Sequence, residues 1–407
     1  MTASTRRVVI IGGSIAGLCA ANLFERAGWS VVVAERTKGQ LSGRGAGVVT
    51  HPGFHLAMAK AGVGTQTMRF LEVTGRAVYG RDGSCMQTLD LPQRLVAWGQ
   101  IHAFLAGHLR STRILSGRAL THFRQDEAGV TAFLEGGGEL EGDLLVGADG
   151  LRSKVRELLG IAQKPLYAGY VAWRGLVDER ALPAGSREDL MSRFTFGFPP
   201  GEQILGYPVI GRGVSSPGVR RFLNYVWYRP VSRHRTLADM LTGSDGNQYH
   251  DGIPPKLLRP DILAEIRADA AKVLPPQFAD AVAGTAHPLL QPIFDFAAPA
   301  MTFGRVALIG DAAFVARPHC GMGVTKALED AVALSEAFSN GSLPVAQALA
   351  RYGAVRLETG RALVRHAQEL GNCIAQTPVE VETVQAEVDH LIRNVAVAPA
   401  APPARAS

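Results

Sequence analysis

The first forty residues carry the pattern that most restricts the fold of this chain. Residues 7–12 (RVVIIG) are mostly apolar and β-branched, as expected of a strand that is buried on both faces. A glycine-rich turn follows, then a helical stretch closed by Gly28, then a second apolar strand that ends at Glu35. This order predicts a βαβ unit and therefore a parallel, Rossmann-like sheet.

The turn inside this unit reads IGGSIAG and lacks one glycine of the dinucleotide pattern G-x-G-x-x-G, because Ser14 occupies the middle position. Serine is small and adds a hydroxyl donor, so we interpret it as a tolerated variant. The helix N-terminus offers free N–H groups to a pyrophosphate, and Glu35 is placed to accept hydrogen bonds from a ribose diol. An ordinary βα turn without a ligand is the alternative. The predicted nucleotide contacts are Gly12, Gly13, Ser14, Ile15, Ala16, Gly17, Glu35 and Arg36.

Composition excludes several classes of protein. With 407 residues, 47% hydrophobic and 19% charged, the chain is expected to fold into two domains. Its net charge of +6 is spread along the sequence without a compact Lys/Arg run, which argues against nucleic acid and suits small anions. The four cysteines lie far apart, so we expect no metal site and a cytoplasmic setting. The apolar start resembles a signal peptide, but glycines interrupt it, and no apolar run is long enough for a membrane span.

Two further segments each combine a predicted strand with an acid at its end. Residues 143–156 read DLLVGADGLRSKVR and place Asp149 after an apolar strand. Residues 305–331 read RVALIGDAAFVARPHCGMGVTKALEDA and place Asp311 in the same way. Taken alone, such a strand end is usually only a turn. An acid at the carboxyl edge of an open α/β sheet is also well placed to contact a ligand.

The three segments, in this order, resemble class A flavoprotein aromatic hydroxylases of the p-hydroxybenzoate hydroxylase type, and the resemblance extends to about residue 345. It implies an α/β fold, a bound FAD, NADH or NADPH as a transient co-substrate, and O2 carried to an electron-rich ring as a flavin C4a-hydroperoxide. The first loop and Glu35 would hold the ADP half of FAD, Asp311 its ribityl or pyrophosphate region, and Asp149 would lie near the cofactor. The remaining expected flavin contacts are Gly45, Ala46, Gly47 and Val48 in the loop LSGRGAGVVTHP, and Gly321, Met322, Gly323 and Val324 at a helix N-terminus.

The substrate expected from the resemblance is a small aromatic ring. Five stretches, GGSIAGL, LSGRGAGVV, YAGYVAWRG, LNYVWY and LIGDAAFVARPH, are similar to family members that hydroxylate a hydroxypyridine. Another phenolic or polycyclic ring is the alternative. Pro318 and His319 are the catalytic candidates, with His319 as a base, unless that histidine merely holds its loop. Three aromatic residues could line the substrate pocket or simply pack in the sheet: Tyr207, Tyr225 and Trp227. His51, Arg174 and Arg229 are weaker hypotheses.

Three positions depart from the family pattern. Phe314 replaces a histidine, Thr325 an asparagine, and Trp98 an arginine, each close to the expected flavin. Three other classes of protein are alternatives. A simple NAD-dependent dehydrogenase leaves the second and third segments unexplained, and a flavin-dependent halogenase would carry a W-x-W-x-I-P signature that is absent. A non-catalytic FAD-binding redox sensor would bind FAD without substrate-stimulated turnover.

The expected domain organisation is discontinuous. A Rossmann-like FAD-binding domain would comprise residues 1–71, 92–165 and 285–345, and a mixed-sheet substrate domain residues 72–91 and 166–284. Residues 346–392 are expected to be helical. The Ala/Pro-rich tail, 393–407, is expected to be disordered. The sequence leaves a homodimer open.

Overall fold

The structure is a computed structural model that describes residues 5–39, 47–211, 220–232, 234–339, 343–372, 374 and 381–399. The strands are β1 (Arg7–Ile11), β2 (Ser30–Glu35), β3 (Gly47–Val49), β4 (Leu71–Val73), β5 (Arg76–Tyr79), β6 (Cys85–Leu89), β7 (Gln93–Ala97), β8 (Arg113–Ser116), β9 (Leu120–Gln125), β10 (Val130–Leu134), β11 (Glu139–Gly142), β12 (Leu144–Gly147), β13 (Leu166–Asp178), β14 (Phe194–Gly197), β15 (Gln203–Ile210), β16 (Arg221–Pro230), β17 (Leu289–Ala297), β18 (Thr302–Phe303), β19 (Val306–Leu308) and β20 (Phe314–Val315). The helices are α1 (Ile15–Arg26), α2 (Pro52–Lys60), α3 (Trp98–Gly107), α4 (Lys154–Leu158), α5 (Ala184–Leu190), α6 (Leu237–Met240), α7 (Pro260–Val273), α8 (Pro276–Ala283), α9 (Gly323–Ala337), α10 (Val345–Leu370) and α11 (Val381–Asn394).

The predicted βαβ unit forms the centre of the first sheet. Within the described ranges this sheet has the order β18-β19-β12-β1-β2-β8, and β1 pairs in parallel with both β2 and β12. Apolar side chains of β1 and β12 are buried on both faces, and α1 packs against α9 on one of them. The expected α/β fold class is confirmed.

A second, eight-stranded sheet forms the other half of the protein. Its order in the described residues is β20-β17-β13-β16-β15-β14-β5-β6, with β16 antiparallel to both β13 and β15. Alternate residues face two separate cores: one face contacts α10 and α11, and the other contacts α7 and α8. Strand β17 was expected in the FAD-binding domain, but it belongs here because it pairs with β13 along most of its length.

The C-terminal segment is more ordered than its composition indicates. Helix α10 packs on α9, and α11 ends at Asn394 with Leu391 and Ile392 buried against the eight-stranded sheet. Val395 and Ala396 are buried beyond the helix end, and backbone hydrogen bonds extend to Val397, so the disorder expected from residue 393 onward is not seen up to that residue. Residues 400–407 lie outside the described part of the chain. Among the described helices, none is long and apolar enough to cross a membrane.

Candidate functional site

The glycine-rich turn after β1 has a geometry that larger residues would destroy. Gly12 has a φ of +112°, and a Cβ there would lie 2.3 Å from the Ala148 oxygen. A Cβ on Gly17 would lie 1.9 Å from the Gly12 oxygen, so α1 can approach this turn only with glycine. Ser14 precedes α1 in an extended conformation, and its side chain makes no capping hydrogen bond. Serine therefore fits the middle position and keeps its hydroxyl beside the cleft.

A cleft of about 460 Å³, here called the turn cleft, opens beside this turn. Glu35 is held at its edge, because its two carboxylate oxygens accept hydrogen bonds from the Gly13 and Thr37 backbone N–H groups, both at 2.8 Å. Each oxygen keeps a further lone pair for a ribose hydroxyl. The Gly13 N–H is occupied by Glu35, so the predicted Gly13 contact with a phosphate lacks a free donor. The predicted residues that line the turn cleft are Gly12, Ser14, Glu35, Arg36 and Asp149.

Several cleft residues were missed by the sequence reasoning. Arg118, Arg152 and Lys154 line the turn cleft and give it the positive charge that suits a pyrophosphate. Two of these cations also have acidic neighbours: Arg152 contacts Asp251 at 2.6 Å, and Lys154 contacts Glu157 at 2.7 Å. Arg152 and Lys154 could have been predicted, because both belong to the GADGLRSK segment, whereas Arg118 lies in a segment without a motif.

Asp149 has partners within the protein. Its carboxylate accepts hydrogen bonds from the Ser153 hydroxyl at 2.5 Å, the Lys154 N–H at 2.7 Å and the Val155 N–H at 3.1 Å. Burial raises the pKa of this carboxyl, and these hydrogen bonds oppose that rise. Asp149 therefore holds the start of α4 at the edge of the turn cleft, and its direct contact with a cofactor stays a prediction.

A second cavity, of about 320 Å³ and here called the sheet cavity, lies between the eight-stranded sheet and the start of α9. Trp98 lines both this cavity and the turn cleft, so the two spaces meet at that residue. The structure brings together at the sheet cavity six of the predicted flavin contacts: Gly47, Val48, Asp311, Gly321, Gly323 and Val324. Met322 is buried beside them. The predicted contacts Gly45 and Ala46 lie outside the described residues.

Buried charges hold the loop that carries Asp311. The Asp311 side chain is 53% exposed, and its Oδ1 lies 3.7 Å from the ammonium of the buried Lys326. Asp330, also buried, accepts a hydrogen bond from the Gly310 N–H at 3.0 Å. Gly321 has a φ of +64° at the turn that starts α9. Lys326 and Asp330 were not among the predicted residues, although both lie in the third segment at helical spacing from Met322.

Only one of the three predicted pocket aromatics faces the sheet cavity. Tyr207 lines it and donates a hydrogen bond to the Gly47 carbonyl at 2.8 Å. Tyr225 and Trp227 pack in the core on the opposite face, where the Trp227 Nε1 donates to Glu202 at 2.7 Å. The prediction for these two residues was wrong, because alternation along β16 sends Val226 and Tyr228 to the cavity instead.

His319 lies at the cavity wall with its ring fully buried. Its Nδ1 is 2.8 Å from the Gln203 Oε1, and its Nε2 is 2.8 Å from the Tyr170 hydroxyl. Burial, together with the positive charges of Arg317 and Arg174, lowers the pKa of His319 to about 3. This geometry favours the alternative that His319 holds the turn Pro318–Cys320 against the sheet.

Of the three residues with weaker support, His51, Arg174 and Arg229, Arg174 is the one that places a positive charge in the sheet cavity. It projects from β13 into the sheet cavity, and its Nε is buried without a hydrogen-bond partner among the described residues. Arg317 also lines the cavity, but it pairs with Asp295 at 2.9 Å. Arg229 contacts Asp269 at 2.8 Å and lines no part of the sheet cavity. The ring of His51 lies 3.4 Å from the Gly321 carbonyl, and burial lowers its pKa.

Phe314 and Thr325, two of the three departures from the family pattern, are both buried. Phe314 is buried against Gly360, where a Cβ would lie 2.3 Å from its ring. The hydroxyl of Thr325 is buried without a hydrogen-bond partner in the described structure. In the same ranges, no three His, Cys, Asp or Glu side chains are grouped so that they could hold a metal ion.

Comparison with known proteins agrees with this geometry. A profile described as FAD binding domain matches residues 5–183 and 290–367, and one described as FAD binding domain-like matches residues 167–295. The chain is 31% identical to 2,6-dihydroxypyridine 3-monooxygenase of Paenarthrobacter nicotinovorans over 83% of this chain and 84% of that protein. It is 29% identical to aurachin C monooxygenase/isomerase of Stigmatella aurantiaca over 89% and 88%. The solved structure of 2,6-dihydroxypyridine-3-hydroxylase from Arthrobacter nicotinovorans has a TM-score of 0.85 and 27% identity, and covers 93% of this chain and 95% of that one.

The matched profile includes both the opening βαβ unit and the loop that carries Asp311. These are the parts on which the resemblance depended, and they line the two cavities that meet at Trp98. A simple NAD-dependent dehydrogenase would account for the first part alone. The chain belongs to the FAD-binding domain family, among the flavoprotein aromatic hydroxylases that its sequence motifs resemble.

Proposed function

We propose that this FAD-dependent enzyme hydroxylates an electron-rich N-heteroaromatic ring of the hydroxypyridine type, with O2 and with NADH or NADPH as reductant. The observation that carries the proposal is Arg174, whose guanidinium enters an aromatic-walled cavity with its Nε unpartnered in the described structure. Arg174 is half-buried, and it places positive charge and an Nε–H donor without an acceptor among the described residues at the wall of this cavity, where an anionic ligand could accept a charge-assisted hydrogen bond. A ring with an ionised hydroxyl supplies such a ligand.

The residues present fit FAD. The turn cleft offers a close backbone approach at Gly12 and a carboxylate at Glu35 for a nucleotide, and the sheet cavity offers the start of α9 for the ring system. Bound FAD would supply the redox chemistry here, namely hydride uptake from NAD(P)H and activation of O2, with one oxygen atom going to the ring and the other to water. The free N–H groups at the start of α9 would stabilise negative charge that develops beside them.

The other cavity residues act on the substrate. Phe194, Leu205, Val226 and Tyr228 form an apolar and aromatic wall that excludes water from the ring. Arg174 would stabilise the ionised ring hydroxyl, and an ionised hydroxyl raises the electron density of the ring carbons. His319 is neutral and fully partnered, so we assign it the positioning of the turn that begins at Pro318.

The relatives give the proposal its substrate class. The relative named for 2,6-dihydroxypyridine supports a one-ring substrate. The relative named for aurachin C, at 29% identity, keeps a larger ring system as the second candidate. Both candidates share Arg174 as the cation that binds the ionised oxygen.

The test is the rate of NADH and of NADPH consumption in air by the FAD-loaded protein, with and without 2,6-dihydroxypyridine. We expect strong stimulation and a product one oxygen atom heavier. Arg174→Met should weaken substrate binding by roughly tenfold to a hundredfold, since a charge-assisted hydrogen bond is lost. Arg229→Met, at a paired arginine outside the cavity, is the matched control. FAD binding without stimulation by any hydroxypyridine, phenol or hydroxyquinoline would instead indicate a redox sensor.

A further inference from the structure

The C-terminal segment forms part of the sheet cavity, although it is far in sequence from every motif. Val395 and Ala396 line the cavity together with Gly321 and Tyr228. We propose that these two residues determine specificity: residues 391–397, here called the C-terminal wall, limit the size of the ring that the cavity accepts. This inference rests on the proposed function, since it assigns the sheet cavity to the substrate.

Three hydrogen bonds from separate parts of the chain hold the C-terminal wall in place. The buried Arg76 of β5 donates to the Ile392 carbonyl at 2.6 Å. Gln93 of β7 donates through its side-chain amide to the Ala396 carbonyl at 2.8 Å. The Ala396 N–H donates to the His319 carbonyl at 2.7 Å. The wall is therefore tied to β5 of the eight-stranded sheet, to β7, and to the turn that precedes α9.

Packing makes the position of this wall specific. Leu391, Ile392 and Val395 are buried in the same core as Tyr207 and Tyr228. Ala396 is the one non-glycine residue of the described chain with a positive φ, at 55°, a conformation that persists where the surroundings impose it. A Cβ on Gly321 would lie 2.8 Å from the Ala396 Cα, so the wall and the start of α9 are in direct contact.

The side chains that this wall presents are small and apolar. They offer no hydrogen bond or charge to a ligand, so they can discriminate between rings only by shape. In an apolar pocket, one methylene group more or less changes discrimination by roughly tenfold or more. Val395 is the larger of the two lining side chains, and substitution there changes the space for the ring without touching Arg174.

The test is a titration of the FAD-loaded protein with a one-ring ligand, 2,6-dihydroxypyridine, and a two-ring ligand, 4-hydroxyquinoline, followed by the flavin absorbance. Val395→Ala should improve the affinity for the two-ring ligand relative to the one-ring ligand by roughly tenfold. Val395→Phe should weaken two-ring binding by at least about tenfold. Val397→Ala and Val397→Phe, two residues further along and absent from the cavity lining, are matched controls that should behave as wild type.

The outcomes separate the two proposals. If the wild-type protein binds a ring and the Val395 variants keep its ratio of affinities, the inference is overturned and the proposed function stands. If the wild-type protein binds neither ring and neither stimulates NAD(P)H consumption, the proposed function fails. Iodide quenching of the bound flavin then tests the wall without any substrate. Arg76→Met, which removes the bonds to Ile392 and Gln93, should raise the quenching constant, and an unchanged constant would overturn the inference.

Discussion

Replacing His319 with glutamine should make the protein less sensitive to acid. His319 is fully buried, with Tyr170 and Gln203 as partners of its two ring nitrogens. Burial lowers its pKa from 6.5 to about 3 in the folded protein. Between these two values the unfolded chain binds a proton that the folded protein does not, so the free energy of unfolding falls as the pH falls.

The size of the effect follows from these pKa values. At pH 7.5 both states are largely neutral, and His319→Gln should only lose buried hydrogen bonds, about 1 to 2 kcal/mol. At pH 5 proton uptake by the unfolded chain lowers the stability of the wild type by about 2 kcal/mol, and the variant escapes this penalty. The stability gap between wild type and variant should therefore close, or nearly close, between pH 7.5 and pH 5.

Urea unfolding followed by tryptophan fluorescence at the two pH values measures this gap. Tyr170→Phe is the matched control, because it removes the hydrogen bond to the same imidazole but no group that titrates in this range. The difference in unfolding free energy between Tyr170→Phe and the wild type should be the same at both pH values. A gap for His319→Gln that is the same at both pH values would refute the reasoning. It would mean that His319 takes up a proton in the folded protein near neutral pH, and the role of a catalytic base would return.

Three further predictions concern the cofactor and the cavity face. Gly17→Ala should weaken FAD binding by at least roughly tenfold, because its Cβ would lie 1.9 Å from the Gly12 oxygen. Gly107→Ala, at a position with open space, is the control. If Gly17→Ala binds FAD as tightly as the wild type in a fluorescence titration, the assignment of the turn is contradicted. Asp311→Ala should raise the Kd for FAD by roughly tenfold through loss of hydrogen bonds, and retention of FAD at wild-type strength would remove Asp311 from the cofactor site. Val226→Trp should block binding of a hydroxypyridine, because Val226 faces the sheet cavity. Tyr225→Phe should leave this binding unchanged, because Tyr225 lies on the opposite face of the sheet. The reverse result in a hydroxypyridine titration would mean that the register of β16 is misassigned.

The geometry of the turn cleft and of the start of α9 could be predicted because its parts are local in sequence. The turn from Gly12 to Gly17 and the acid at Glu35 belong to one βαβ unit, and their backbone requirements appear directly as residue types. The loop with Asp311 and the start of α9 likewise lie in one segment. The hydrogen bond from the Gly13 N–H to Glu35 was not predicted, because it depends on a side-chain rotamer that a motif does not specify.

The lining of the sheet cavity was harder to predict because both faces of the central strands are buried. Along β16, residues from Leu223 to Tyr228 are all buried, so the period of two carries no information about which face meets the cavity. Tyr225 and Trp227 were assigned to the wrong face for this reason. The C-terminal wall was missed because alanine and proline dominate the tail, while the groups that order it, Arg76 and Gln93, lie about three hundred residues away.

The contrast between the turn cleft and the sheet cavity also explains how one fold can bind a common cofactor and different substrates. The turn cleft and the start of α9 depend on the backbone at Gly12, Gly17 and Gly321, where nearly any side chain would collide with a neighbouring part of the chain. The sheet cavity depends on side chains such as Arg174 and Val395, which can change without moving the backbone. Relatives near 30% identity should therefore keep FAD and differ in the ring they accept, and the names of the two relatives differ in that way. For this chain, Arg174 would select the ionised edge of the ring, and the C-terminal wall its size.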